Sequence, residues 1–229
     1  MDVNHLVQTI AIYALPVLFA ITLHEAAHGY VARHFGDLTA HAQGRISLNP
    51  LRHIDLNGTI VVPLLLVTLS AGKFVFGWAK PVPVNYSALR RPKEHMALVA
   101  AAGPVVNLIM LVGWALLLRS VVELPRAGAS VFVAQMAIAG IVVNAVIMTL
   151  NLLPILPLDG GRILVGLLPR RLAWRYAKTE RWGGYVLLAF IATSLIDGWF
   201  FEGRYMGGIF APLGQAIETV IRAVIGRGG

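Results

Sequence analysis

The sequence predicts an α-helical polytopic membrane protein. It should have about four full transmembrane helices, a short membrane segment that does not cross, a small membrane-associated β region, and a C-terminal helix that either lies at the interface or crosses. Three observations predict it. The 229 residues are 57% hydrophobic and 13% charged, with a mean hydropathy of +0.72, whereas soluble domains carry about 25% charged residues. Apolar runs recur at the length, about 20 residues, that crosses a hydrocarbon layer of ~30 Å. The basic residues are also distributed unevenly among the loops between those runs.

The first run, residues 6–32, is longer than a signal-peptide core, and no Lys or Arg occurs in residues 1–5. It is therefore expected to remain as an anchor rather than be cleaved. Residues 44–85 contain short alternating stretches, Phe74-Val75-Phe76 and Pro81-Val82-Pro83-Val84, which predict the small β region; the two prolines suit an edge strand, to which an extended substrate could add. Within this stretch the apolar run 60–71 is too short to span comfortably. Residues 96–118, 131–153 and 183–201 are long enough, and 206–225 are amphipathic. No linker to a second globular domain is evident, so 1–229 reads as one membrane-embedded unit with a core at 6–168 and accessory helices at 183–225.

Cysteine is absent, which removes disulfides and thiolate ligands and leaves His, Asp and Glu as the strong metal ligands. The net charge of +8 comes without a basic and aromatic soluble module, so nucleic acid is not an expected partner. The charge instead reports topology. If 60–71 does not cross, fourteen Lys and Arg residues, from Arg33 to Lys93 and from Arg162 to Arg181, share one side, and only Arg119, Arg126 and Arg204 face the other. By the positive-inside bias the basic side is the cytosol and the N-terminus lies outside.

Residues 24–28 read His-Glu-Ala-Ala-His inside the first apolar run. On a helix His24 and His28 fall at i and i+4 on one face, so two imidazoles can converge on one Zn²⁺ with Glu25 beside them as a candidate general base. Ionisable groups in an apolar span are costly and are functional by default. From Leu6 to His24 is about 27 Å at a rise of about 1.5 Å per residue, which puts the pair near the cytosolic edge of the membrane.

A second constellation, Asn151-Leu-Leu-Pro-Ile-Leu-Pro-Leu-Asp159-Gly-Gly-Arg162, follows the third long span. Pro154 and Pro157 cannot continue a helix, and irregular backbone at membrane depth is tolerated only where protein or water covers it. Asp159 is the candidate third ligand, completing a His₂Asp set with a fourth position for water, whose proton Glu25 can take and later deliver to a leaving amine. After Gly160 and Gly161 a short helix is expected over 162–168; the competing role of Asp159 is a helix N-cap. Both motifs can reach one metal only if the first and third long spans end on the same side. Asn151 is a candidate substrate-binding amide or a helix-to-helix hydrogen-bonding group. His53 is a candidate for contacting substrate or stabilising an oxyanion, or an interfacial histidine bonded to backbone. His5, His34, His41 and His95 are read as ordinary histidines.

The pair of motifs, in this order, resembles the site-2 protease family of intramembrane zinc metalloproteases. Asn49-Pro50 with His53-Ile54-Asp55, Gly58-Thr59, the stretch from Gly77 to Asn85, and Ala102-Gly103-Pro104 with Asn107 resemble its compact prokaryotic branch, which has no PDZ or CBS domains. The resemblance implies one zinc per chain on His24, His28 and Asp159, Glu25 as catalytic base, and Asn151 as a substrate contact. It further implies a transmembrane helix or remnant membrane peptide as substrate, and a prokaryotic inner-membrane location. Homo-oligomerisation is left open. A non-proteolytic zinc-binding scaffold or transporter is the competing reading. An intact Glu25 argues against the scaffold, and the few polar interior side chains of the later spans, Asn107, Gln135 and Asn144, argue against transport.

Overall fold

The computed structural model describes residues 3–69, 77–125, 127–200 and 204–226. Its α-helices, in chain order, are α1 (Val3–His34), α2 (Thr39–Ala42), α3 (Val62–Leu69), α4 (Pro92–Val122), α5 (Gly128–Asn151), α6 (Asp159–Leu167), α7 (Arg170–Ala177), α8 (Glu180–Phe200) and α9 (Arg204–Ile225). A 3₁₀ turn at Pro50–His53 and a π-helical turn at Leu56–Val61 lead into α3. Three helices among the described residues are long and apolar enough to cross a membrane: Val7–His34 within α1, α4, and α5. About four were expected; the fourth, 183–201, corresponds to α8, with residue 201 outside the described residues.

α1, α4 and α5 pack against one another as the central bundle. Their directions follow from individual contacts. His28 of α1 meets Val99 of α4 and His24 meets Asn107, so these helices are antiparallel. Asn107 meets Asn144 of α5, while Trp114, further along α4, lies against Gly140, earlier on α5. α5 is therefore antiparallel to α4 and parallel to α1. The chain leaves α1 and enters α4 at the same end of the bundle, so residues 35–91 make no net passage along it. The π-helical turn and α3 together are about 21 Å long at about 1.5 Å per residue, short of a hydrocarbon layer of ~30 Å.

Small residues set the spacing of the bundle. Ala137, Ala145 and Ile141 of α5 pack on Leu111, Ala115 and Leu118 of α4, the close approach that small side chains permit between membrane helices. A Cβ at Gly140 would overlap the Trp114 ring. The outer faces are apolar, with Ile10, Leu15 and Phe19 of α1 and Leu108, Ile109 and Leu116 of α4 all exposed, as suits lipid contact. α9 lays Ile217, Val220 and Ile221 on the α4–α5 cluster around Leu111–Leu118. That cluster lies on the side of Asn107 away from the histidines, so this part of α9 does not cover them.

The expected β region is corrected by the structure. No strand occurs among the described residues, and Phe74-Val75-Phe76 lie outside them. Residues 77–85 form no regular element, and their donors go to separate partners rather than to a ladder. Trp78 N–H bonds Gly58 O, Lys80 N–H bonds His53 O, Val82 N–H bonds the Glu25 carboxylate, and Asn85 N–H bonds the Asp37 carboxylate. Pro81 and Pro83 have no N–H to give. The strand-addition edge expected with the β region loses its basis in the same way.

Candidate metal centre

His24 and His28 lie one turn apart on α1, both buried. Their Nε2 atoms are 3.1 Å apart. Asp159 reaches the same point from the other side of the bundle, its Oδ2 lying 3.2 Å from His24 Nε2 and 3.4 Å from His28 Nε2. It gets there because α5 stops at Asn151 and the chain turns through the Pro154–Pro157 segment before α6 begins at Asp159. The N-cap position of α6 is Leu158, and no side chain caps it, so Asp159 is not the capping residue. α6 starts three residues earlier than the short helix expected at 162–168.

The other ring nitrogens fix what the imidazoles present. His28 Nδ1 is 2.8 Å from the Val99 carbonyl and His24 Nδ1 is 2.6 Å from Asn107 Oδ1. Both partners are acceptors, so both Nδ1 atoms donate. The Asn107 amide is itself oriented, since its Nδ2 donates to Asn144 Oδ1 at 2.9 Å and to the Ala20 carbonyl at 3.4 Å. Asn144 in turn donates to the Gly140 carbonyl at 2.8 Å. Two Nε2 lone pairs therefore face Asp159. This is the arrangement by which a partner on one ring nitrogen prepares the other for a metal.

The donor set fits zinc. Tetrahedral ligands at bond lengths of about 2.0–2.1 Å stand about 3.3 Å apart, and the three distances bracket that value. The buried Oδ2 of Asp159 has no hydrogen-bond partner, a state that a cation between the ligands resolves. Among the described residues, His24, His28 and Asp159 are the set of His, Asp or Glu side chains grouped closely enough to share an ion.

Glu25, the next residue on α1, accepts the Val82 N–H at 2.8 Å on Oε2. The stretch that carries Val82 packs closely on α1: a Cβ at Gly29 would fall 2.9 Å from Ile46 and 3.1 Å from Val82 side-chain atoms. Arg45 holds the same stretch by donating to the carbonyls of Lys80 and Pro81.

The remaining candidates make their hydrogen bonds elsewhere. The Asn151 amide donates back to the Ile147 carbonyl of its own helix at 3.1 Å. His53 is buried, with Nε2 2.8 Å from the Ser47 carbonyl and Nδ1 without a partner. His34 and His95 contact the Phe35 ring. Sequence reasoning did not assign roles to Asn107, Asn144 or Gly103 at the site. A Cβ at Gly103 would stand 2.5–2.6 Å from ring atoms of both histidines. The available signal was a polar amide in an otherwise apolar span, which is uncommon without a function.

Comparison with known proteins bears on this centre. The model of the family described as Peptidase family M50 matches residues 118–194, which include α5 and Asp159. The chain is 39% identical over 184 residues to "Putative zinc metalloprotease YwhC" of Bacillus subtilis, covering 79% of this chain and 80% of that protein. It is 29% identical over 188 residues to "Putative zinc metalloprotease Rip2" of Mycolicibacterium smegmatis, covering 82% and 69%, respectively. The protein of the same name from Mycobacterium tuberculosis is 28% identical over 213 residues, covering 90% and 77%. No solved structure matches the chain.

Proposed function

We propose that the chain, which belongs to peptidase family M50, the site-2 protease family, is an intramembrane zinc endopeptidase acting on transmembrane or remnant membrane-anchored segments. The observation that carries the reading is the convergence of two Nε2 atoms and one carboxylate oxygen at 3.1–3.4 Å. His24, His28 and Asp159 would hold one zinc. When bound, zinc supplies Lewis acidity, making a water acidic near neutral pH and polarising a carbonyl oxygen.

Glu25 is the base in this reading. Its carboxylate takes a proton from the attacking water and returns it to the nitrogen of the departing strand as the peptide bond breaks. The Val82 N–H holds one carboxylate oxygen, which fixes the side chain for that transfer. Asn107 and Val99 orient the two imidazoles through Nδ1. Asn151, at the end of α5 just before the turn to Asp159, would hold substrate backbone once its amide leaves the Ile147 carbonyl. His53 remains a candidate for substrate contact through its unpartnered Nδ1.

The bundle directions support the orientation read from charge, with the N-terminus outside and the centre near the cytosolic face of a prokaryotic inner membrane. Residues 1–229 would then act as one peptidase unit, with α8 as a fourth span. Metal content and proteolysis test the reading together. Glu25→Gln should keep about one zinc per chain and lose about 10²–10⁴-fold in peptide hydrolysis, and Asp159→Ala should lose the zinc. Cleavage by Glu25→Gln at the parent rate would defeat the mechanism. Zinc indifferent to Asp159 would favour a scaffold or transporter.

A further inference from the structure

We propose that the outward face of α7 is a binding surface for the phosphate-bearing headgroups of anionic phospholipids in the membrane that holds the bundle. At about 100° per residue, Arg170, Trp174, Lys178, Arg171 and Arg175 fall within one arc of about 140°. The opposite side is anchored to the protein, where Ala173 is buried and the Tyr176 hydroxyl donates to the Pro154 carbonyl at 2.6 Å. The helix therefore shows its cations outward by construction.

That outward face forms a shallow groove lined by Arg170, Arg171, Trp174 and Arg175. No acidic residue occurs between Gly160 and Thr179. The carboxylate that follows, Glu180, is taken by Arg162 at 3.0 Å. Three guanidiniums are thus gathered without a carboxylate among them, and guanidinium geometry matches phosphate oxygens in paired hydrogen bonds. Lys178 Nζ sits 3.3 Å over the ring of Trp174.

The anion is assigned to lipid rather than to a soluble phosphate because of the apolar surface exposed in and around α7. Trp174 is 62% exposed and Trp182 56% exposed, and indole rings settle at the headgroup level of a bilayer. Leu172 of α7 and Leu167 of α6 are exposed as well. A free anion would leave these apolar surfaces in water, whereas an interfacial helix buries them while its cations meet headgroups. α7 also follows α5 and α6 at the end of the bundle where α1 and α5 finish, the basic side by charge. Through Tyr176 and Pro154 the surface is joined to the turn that carries Asp159. The inference rests on the membrane reading of the bundle and not on the peptidase chemistry.

The test uses the zinc-loaded full chain in mixed micelles, with tryptophan quenching by brominated phosphatidylglycerol or brominated phosphatidylcholine at equal mole fraction. Each guanidinium near an anionic surface contributes about fivefold. The parent should favour phosphatidylglycerol by at least about tenfold, with Trp174→Phe removing part of the signal. The Arg170→Gln/Arg171→Gln/Arg175→Gln variant should lose most of that preference, keeping no more than the share of Lys178, and the triple Lys variant should keep most of it. Equal quenching by both lipids in the parent, which needs no variant to fold, would overturn the proposal, as would an unchanged preference in the triple Gln variant. Reversal by millimolar inorganic phosphate at constant ionic strength would reassign the groove to a soluble anion, and displacement by polyglutamate would reassign it to an acidic protein segment. Zinc content is read in parallel. A chain that holds no zinc yet keeps the lipid preference would sink the peptidase reading and leave this one standing.

Discussion

His24 Nδ1 and Asn107 Oδ1 lie 2.6 Å apart in the centre of the bundle, with Asn107 fully buried. The contact does two things at once. It makes Nδ1 the protonated nitrogen, and so directs the Nε2 lone pair toward Asp159. It also ties α1 to α4 and, through Asn144, to α5, so the ligand's orientation depends on all three packed helices.

Asn107→Ala should therefore weaken zinc binding more than it weakens the fold. Loss of an outer partner of a metal-bound histidine typically reduces metal affinity by about 10–100-fold. Competition against a chelator of known affinity measures it, and the expectation is a shift of that size with helix content retained. Zinc affinity equal to the parent's would show that the contact does not prepare His24.

Gly103→Ala should disturb the centre by volume alone. The new methyl carbon would stand 2.5 Å from His24 Cε1 and 2.6 Å from His28 Nε2, and α4 is held on both sides by α1 and α5. Overpacking of this kind costs about 1–3 kcal/mol, enough to reduce zinc affinity by about 10–100-fold if the imidazoles give way. The same chelator competition reads it. A variant that binds zinc normally would mean that the helices separate at little cost.

The long helices and three of the site residues were legible in the sequence because their signals are local. His24 and His28 share a helix face by spacing, and Pro154 and Pro157 announce the break from which Asp159 reaches back. The edges of the site were not legible. Asn107 and Asn144 stood out as amides in apolar spans, but their partners lie 83 and 37 residues away from Asn107 in the chain. The misread element is residues 77–85. Pro81-Val82-Pro83-Val84 alternates like an edge strand, yet its backbone donors serve Glu25 and the loops around it, a tertiary choice that alternation does not encode.

Gly183→Ala should loosen the attachment of α8. A Cβ there would overlap the Leu156 carbonyl oxygen, a backbone atom in the turn that leads to Asp159. The substitution should lower the thermal unfolding midpoint, with a cost of about 1–3 kcal/mol from the forced separation. Because the contact is to the turn and not to the ligands, zinc should still bind at one per chain. An unchanged midpoint would show that α8 packs there without constraint.

Val82→Pro isolates the hydrogen bond to Glu25. Val82 is the one residue of Pro81-Val82-Pro83 with an N–H, and that N–H is 2.8 Å from Glu25 Oε2. Proline removes the donor and leaves the metal ligands untouched, so zinc content should not change. Misplacing a reacting group by about 1 Å can cost on the order of 10²-fold in rate, and a fall of about 10–100-fold in kcat with little change in KM is expected. Val82→Ala keeps the N–H while removing the packing against α1 near Gly29, and should stay much closer to the parent rate. If the two variants lose equal activity, the stretch matters for its bulk over α1, and the carboxylate does not depend on the bond.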